Sequence, residues 1–385
     1  MAGTEIYLDH AASTPLRPEA REAWLEASST HHANPTGSHA AARAARRALD
    51  DSRDVLARLL NRAPAEVVFT SGGSEADNAA VRGTLNSRGG IAVCSAGEHH
   101  AVLEPVEHAG GATVALRRDG RVSPDDLAEA LRTNENVTLV SIMAVNNETG
   151  AINDLPTLID VTRTLAPDAL FHTDAVQAMS WIDLGVHAAD ADLVSITGHK
   201  LGGPVGTGAL FVRDGSDLDP LILGGGQERG RRAGTPDVAG AVAFAVAAEI
   251  AVSTRTTEVA RLGALRDRLV RGLSDDLGDS VTATVLDIDP DLAVAGIAHV
   301  CLQGIEAEAL LFLLDTQGLR ASAASSCSSG AQDPSHVLAS MGIPREVAQG
   351  SLRLSLGHTT ADADIDRAIE LIVAAVRRLH GYGGG

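Results

Sequence analysis

Short apolar runs, each closed by a polar or glycine-rich turn, recur along the middle of the chain. Residues 67–70, 91–94, 113–116, 137–145, 170–174, 193–196 and 208–212 read as strands. Their apolar residues run on without alternating, as expected of strands buried on both faces. Between them, residues from 74 onward, 102–109, 124–131 and 155–165 carry apolar positions at helical spacing. This alternation predicts an α/β fold with a mostly parallel sheet covered by helices. Ligands of such sheets lie at the carboxyl ends of the strands.

The flanks read differently. A short strand at 6–8 precedes a helix over 18–28, a polar loop at 31–39 and a long helix over 40–60. After the strand series comes a small-residue helix over 239–252, a polar segment at 253–257 and an amphipathic helix over 259–273. Strand and helix patterns then alternate through 297–302, 306–315, 335–341, 351–355 and 363–379. The polar segment marks a domain boundary: a large domain over 16–256, and a smaller α+β domain from 1–15 plus 257–385.

Chemistry-bearing residues collect at the predicted strand ends. Lys200, in Thr197-Gly198-His199-Lys200, follows a buried strand. Desolvation there favours the neutral amine, a nucleophile able to form a Schiff base. Asp174 ends the preceding strand, in His172-Thr173-Asp174-Ala175-Val176-Gln177. It is either a turn cap or the carboxylate that holds a protonated pyridine nitrogen. Ser71-Gly72-Gly73-Ser74-Glu75 opens a helix after a strand, which suits both a simple cap and a phosphate cup. His99, in Glu98-His99-His100, offers an imidazole able to stack on a flat ring and exchange protons. No further ligand follows one helical turn later, so no metal site is read there. Asn146-Asn147-Glu148-Thr149-Gly150 is a turn or a ligand-orienting cluster, and Arg353 sits in an apolar strand, suited to gripping a carboxylate. Residues 224–236 form a glycine-bracketed, locally basic loop, read as mobile.

Composition narrows the class. The chain has 385 residues, 44% of them hydrophobic and 2% aromatic, with a net charge of −19. Nucleic acid and anionic membranes attract basic surfaces, so direct binding to either is not expected. No basic region followed by an apolar run opens the chain, which points to the cytoplasm. Of three cysteines, Cys94 and Cys301 lie in apolar runs, whereas Cys327 lies among small polar residues where a thiol stays reactive. A Schiff-base lysine, a pyridinium carboxylate, a stacking histidine, a phosphate cup, a carboxylate-binding arginine and a reactive thiol together describe a pyridoxal 5'-phosphate enzyme acting on an amino acid.

The sequence also resembles the cysteine desulfurases of the class V aminotransferase group, from Tyr7-Leu8-Asp9-His10-Ala11-Ala12 to about His380. The motifs are Asn34-Pro35, Ser38-His39, Phe69-Thr70-Ser71-Gly72, Glu98-His99, Val145 to Gly150, His172 to Gln177, Gly198-His199-Lys200, Gly225 to Arg229, Gly234-Thr235 and Ser351-Leu352-Arg353. The Cys327 segment is similar to that of the long-loop branch, the NifS- and IscS-like one. The resemblance implies the fold type I architecture of pyridoxal phosphate enzymes. It implies that Lys200 holds the cofactor covalently, that Asp174 pairs with the pyridine nitrogen and that Gln177 bonds the phenolic oxygen. His99 stacks on the ring, Gly73, Ser74, Thr197 and His199 bind the phosphate, and Thr235 reaches the cofactor of the other protomer in a homodimer. Asn34, Asn147 and Arg353 position the substrate, Asn147 also standing at the cofactor. Cys327 takes the sulfur of L-cysteine as a persulfide, leaves L-alanine, and passes the sulfur to an acceptor protein. Selenocysteine cleavage, or a dedicated donor role in DNA phosphorothioation or thio-metabolite synthesis, is the alternative. Ser74 departs from the family's usual Thr.

Overall fold

The computed structural model describes residues 5–324 and 335–382. In chain order it begins with β1 (Ile6–Tyr7), α1 (Pro18–Thr30) and α2 (Ala40–Leu59). The strand series follows as β2 (Val67–Thr70), α3 (Gly73–Arg88), β3 (Ile91–Ser95), α4 (His100–His108), β4 (Ala112–Val114) and α5 (Pro124–Thr133). It continues through β5 (Val137–Ser141), α6 (Leu155–Leu165), β6 (Leu170–Asp174), α7 (Leu184–His187), β7 (Leu193–Thr197) and β8 (Gly208–Val212). The remainder is α8 (Val238–Leu277), β9 (Val281–Ala283), β10 (Ile297–Leu302), α9 (Ala307–Thr316), β11 (Leu319–Arg320), α10 (His336–Ser340), α11 (Arg345–Ala348), β12 (Ser351–Ser355) and α12 (Asp362–Tyr382).

Strands β2 to β8 form one seven-stranded sheet in the order β2-β8-β7-β6-β5-β3-β4. The five neighbours β4, β3, β5, β6 and β7 are parallel, as the sequence pattern predicted. β8 runs antiparallel to both β7 and β2. Two reversals restore the direction, so β2 runs with β7, and the carboxyl ends of β2, β3, β5, β6 and β7 share one edge. Successive strand residues go to opposite faces. Val93, Val140, Phe171, Val194 and Phe211 join one core cluster, and their neighbours Cys94, Leu139, Leu170, Leu193 and Leu210 join another. Both faces are covered, so the strands read as continuous apolar runs.

A second core gathers Ile6, Leu8, Leu269, Val300, Leu310, Leu354 and Ile372. It lies around the antiparallel sheet β12-β10-β9 and the parallel pair β1-β11. The polar segment 253–257 does not break the helix, contrary to the sequence reading. α8 is a single helix of 40 residues. Its buried residues Ala243 to Ala251 join the first core, and Leu262 to Leu273 join the second. The strand expected over 137–145 also stops early, at Ser141. Beyond it the Met143 N–H donates to the Glu98 carboxylate at 2.7 Å. Pairing with β3 gives way there to a side chain, while Ile142 and Ala144 still donate their N–H groups to the β6 carbonyls of His172 and Asp174 at 3.1 and 2.9 Å.

After β1 the chain crosses from the second core to the edge of the large sheet. Ala11 donates its N–H to Ser355 Oγ at 2.8 Å, and Thr14 donates its N–H to the His199 carbonyl at 3.0 Å.

Candidate active site

Five strand ends, the crossing segment and β12 enclose one cavity of about 330 Å³. Gly73, Ser74 and Asp77 come from the start of α3, His99 from the end of β3, and Asn147 from the loop beyond β5. Asp174 and Gln177 come from β6 and the turn after it, and His199 and Lys200 from the turn after β7. Asp9, Ala11 and Ala12 close it from the crossing segment, and Ser322, Ala324 and Arg353 from the second core's side.

Lys200 directs Nζ at backbone carbonyls of the crossing segment, donating to Ala11 and, at 2.7 Å, to Ala12. Gln177 Nε2 donates to the same Ala11 carbonyl at 2.7 Å. Asp174 is 5% exposed, and its Oδ1 accepts the Val176 N–H at 2.8 Å. Burial raises its pKa above the usual carboxylate range, while His99 and Lys200 pull the other way. His99 caps α4, its Nδ1 accepting the Ala101 N–H at 3.1 Å. That bond fixes the tautomer of the neutral ring, with the proton on Nε2. Burial lowers its pKa from 6.5, although Asp174 raises it. His199 is held down to about 4, first by burial and then by Lys200. Arg353 is 4% exposed and spans two partners: Nη1 donates to the Asn147 carbonyl at 2.9 Å, Nη2 to Asp9 Oδ1 at 2.8 Å.

The anion cup is the start of α3. Its N-cap is Gly72, at φ 153° and without a side chain to cap the helix. Polar caps normally take up first-turn N–H groups; here none does among the described residues. A Cβ on Gly73 would stand 2.7 Å from Val176 Cγ2, so only glycine lets these two walls approach so closely.

Most of the sequence-predicted residues converge, but not all. Thr197 does not line the cavity; its hydroxyl donates to the Thr207 carbonyl at 2.8 Å and lies 3.0 Å from His199 Nδ1. Asn34 is not brought to it either. Its Oδ1 accepts the Thr36 N–H at 3.0 Å in an exposed local turn. Thr235 lies with Ser71, Thr207 and Glu228 in another cavity of about 190 Å³. Cys327 lies outside the described residues. Asp9 and Asp77 were missed. Asp77 was findable, because it stands three residues after Ser74 on the same helical face.

The family model described as Aminotransferase class-V matches residues 6–368. The chain belongs to the class V aminotransferases. It is 43% identical to an IscS-like cysteine desulfurase of Mycobacterium tuberculosis, over 97% of this chain and 96% of that one. Among solved structures, a NifS-like protein superposes with a TM-score of 0.89 at 29% identity, covering 97% of this chain and 100% of that one. SspA in complex with cysteine superposes at 0.76 and 30% identity, covering 91% and 98%.

Class V aminotransferases of this group depend on pyridoxal phosphate, and the architecture is that of fold type I enzymes, as the sequence led one to expect. The family's cofactor fits the donor set present. A lysine, a buried carboxylate, a neutral imidazole and an uncapped helix N-terminus face one cavity, the donor types that an aldehyde, a pyridine nitrogen, a flat ring and a phosphate call for.

Proposed function

We propose that this class V aminotransferase is a cysteine desulfurase that takes sulfur from L-cysteine onto Cys327 and releases L-alanine. One observation carries the reading. Lys200, Asp174 and His99 line the same cavity as Ser322 and Ala324, and Ala324 precedes Cys327 by three residues in the sequence.

Pyridoxal phosphate bound there would supply an electron sink at the substrate's α-carbon. Lys200 would hold it through Nζ, Asp174 would keep its ring nitrogen protonated, and the Gly73–Ser74 N–H groups and His199 would hold its phosphate. Gln177 would bond its phenolic oxygen, Asn147 would stand beside it, and Thr197 would act through His199. The Arg353 fork, set by Asp9 and the Asn147 carbonyl, would present its remaining donor capacity to the substrate carboxylate. His99 would stack on the ring and move protons through Nε2. The Cys327 thiolate would attack the substrate sulfur. An S–S bond forms as the C–S bond breaks, the bonding pair stays on carbon, and a proton completes alanine. Cysteine and the enzyme thiol thus become alanine and an enzyme persulfide, which a sulfur-acceptor protein then relieves of its outer sulfur.

Thr235 would serve the other protomer of a homodimer; its position outside its own chain's cavity supports that reading. Asn34, exposed and turned on itself, fits the same role across a dimer better than one in its own cavity. The division into a large domain over 16–256 and a small one from 1–15 plus 257–385 is supported by the second core, whose buried members all fall within 6–8 and 262–376, while the first core also draws in Ala11, Val294, Ile297 and Leu338. We place the enzyme in the cytoplasm.

The test is persulfide and alanine formation from L-cysteine by wild type and Cys327→Ser. The variant is expected to keep the visible absorbance of bound cofactor and to lose the persulfide. Undiminished persulfide transfer by the variant defeats the reading. Selenocysteine cleavage that survives in the variant, beside negligible cysteine turnover, replaces it with a selenocysteine lyase.

A further inference from the structure

Among the acidic residues of the cavity wall, Asp9 pairs with Arg353 and Asp174 faces the site, but Asp77 has no task in the reaction just described. It is 1% exposed, and among the described residues its Oδ1 accepts no hydrogen bond. The nearest basic group among the described residues is His172, whose Nε2 lies 3.6 Å from that oxygen, beyond hydrogen-bond range. Both His172 nitrogens are already engaged: Nδ1 with Ser141 Oγ at 2.8 Å, and Nε2 with Ser195 Oγ at 3.0 Å. Burial holds that imidazole down to about 3, so it carries no charge near neutrality. The other groups that act on Asp77 are the Ser195 hydroxyl and two further acids, Asp174 and Glu98.

A buried carboxylate without a cation or sufficient donors is costly, and two adjacent ones repel. The cheapest arrangement leaves one proton on the pair. Asp174 has the Val176 N–H and the attraction of His99 and Lys200, whereas among the described residues Asp77 has only the Ser195 hydroxyl, with neither a backbone donor nor a cation. The proton therefore goes to Asp77 and the charge to Asp174.

We propose that Asp77 stands as a neutral acid beside Asp174, a positioning residue that confines the site's negative charge to the carboxylate facing the ring nitrogen. The proposal rests on the role given to Asp174 above. It means that the floor of the site carries one negative charge, not two, against the cofactor's single ring nitrogen.

The test uses the purified full chain with and without pyridoxal phosphate. Infrared difference spectra at neutral pH, with carbon-13-labelled aspartate, are expected to show a protonated-carboxyl stretch in wild type that vanishes in Asp77→Asn. Because an amide mimics a neutral acid, Asp77→Asn is also expected to hold cofactor dissociation within about twofold of wild type. The pH midpoint of the bound cofactor's visible band should likewise stay put. Asp174→Asn should weaken the cofactor by about tenfold or more, the worth of ~1.4 kcal/mol. Absence of the band in wild type overturns the proposal, even if the variant does not fold. So does a midpoint shift in Asp77→Asn as large as that in Asp174→Asn. If Asp174→Asn leaves cofactor binding untouched, the role of Asp174 fails, while the infrared band still decides the state of Asp77.

Discussion

At the scale of single residues, His99 shows how a backbone bond selects a chemical role. The Ala101 N–H occupies Nδ1, so the neutral ring carries its proton on Nε2, and the residue lines the cavity. Its lowered pKa keeps the ring neutral at pH 7, and falling pH protonates it. His99→Ala is expected to lower kcat by about 10²–10⁴-fold, the usual worth of a positioned proton-transfer group. The wild-type kcat/KM profile should lose activity only below pH 6.5, as the ring takes up its proton. An unchanged kcat in His99→Ala would count against the role. Residues such as Lys200, Asp174 and His99 were legible in the sequence because each ends a buried strand, where polarity stands out against apolar neighbours. Asp9 and Asp77 were harder. Asp9 becomes meaningful only beside Arg353, and Asp77 only beside Asp174 on another element. Thr197 and Asn34 were expected at ligands, yet their polar atoms are used locally. A residue's type does not reveal whether the backbone has already claimed it.

The same limit appears among the elements. The segment Ser253 to Thr257 is polar, and polarity in sequence looks like a break. In the helix Ser253, Thr256 and Thr257 are exposed, Arg255 donates to the Ile182 carbonyl at 3.0 Å, and the Ser253 and Thr254 hydroxyls bond back to the Ile250 carbonyl at 3.1 and 2.8 Å. Such back-bonding satisfies them without ending the helix. Ser253→Pro should therefore cost about 3 kcal/mol, the penalty of proline inside a helix. A drop in the urea midpoint at unchanged slope would show it, whereas a true linker would tolerate the change. The loop 224–236 carries the opposite lesson. Its glycines suggested mobility, yet Glu228 is buried, takes both Nη atoms of Arg53 at 2.8 Å and accepts the Phe69 N–H at 2.9 Å. Glu228 and Arg229 hold φ of 47° and 58°, a left-handed turn kept by that buried pair. Composition described the loop's freedom to bend, and a partner distant in sequence pins it at Glu228.

For the molecule as a whole, the strand series and its parallel sheet were legible because both faces are buried and the pattern is local. The second core was less so. Its members run from Ile6 to Val376, and no local periodicity announces such company. That core also contributes to pH sensitivity. His299 is 1% exposed between Thr284 Oγ1 and Ser351 Oγ, at 3.1 and 2.9 Å, and burial holds it down to about 3 against an ordinary 6.5. Between those values the unfolded chain binds a proton that the folded chain refuses. Its contribution to stability is full above 6.5 and is lost as pH falls toward 3. Buried acids with raised values, such as Glu98, act in the opposite sense, losing stability as pH rises. His299→Gln isolates one side of this balance. Its urea stability should fall less steeply on acidification than wild type, by about 1.4 kcal/mol per pH unit. Identical slopes would rule out a neutral His299 in the folded chain.

The crossing segment has a consequence for how the protein is made. Asp9 meets Arg353, and Ala11 meets Ser355, across 344 positions of chain. Synthesis runs from the first residue to the last. Ile6 and Leu8, 4% and 0% exposed when folding is complete, therefore leave the ribosome long before the strands that cover them exist. The wall formed by β12 (Ser351–Ser355) is translated long after the strand ends it faces, so the pocket cannot close before that strand has been made. A chain that stops before residue 351 therefore lacks both Arg353 and the Ser355 hydroxyl that hold the crossing segment, and its cavity stays open on that side.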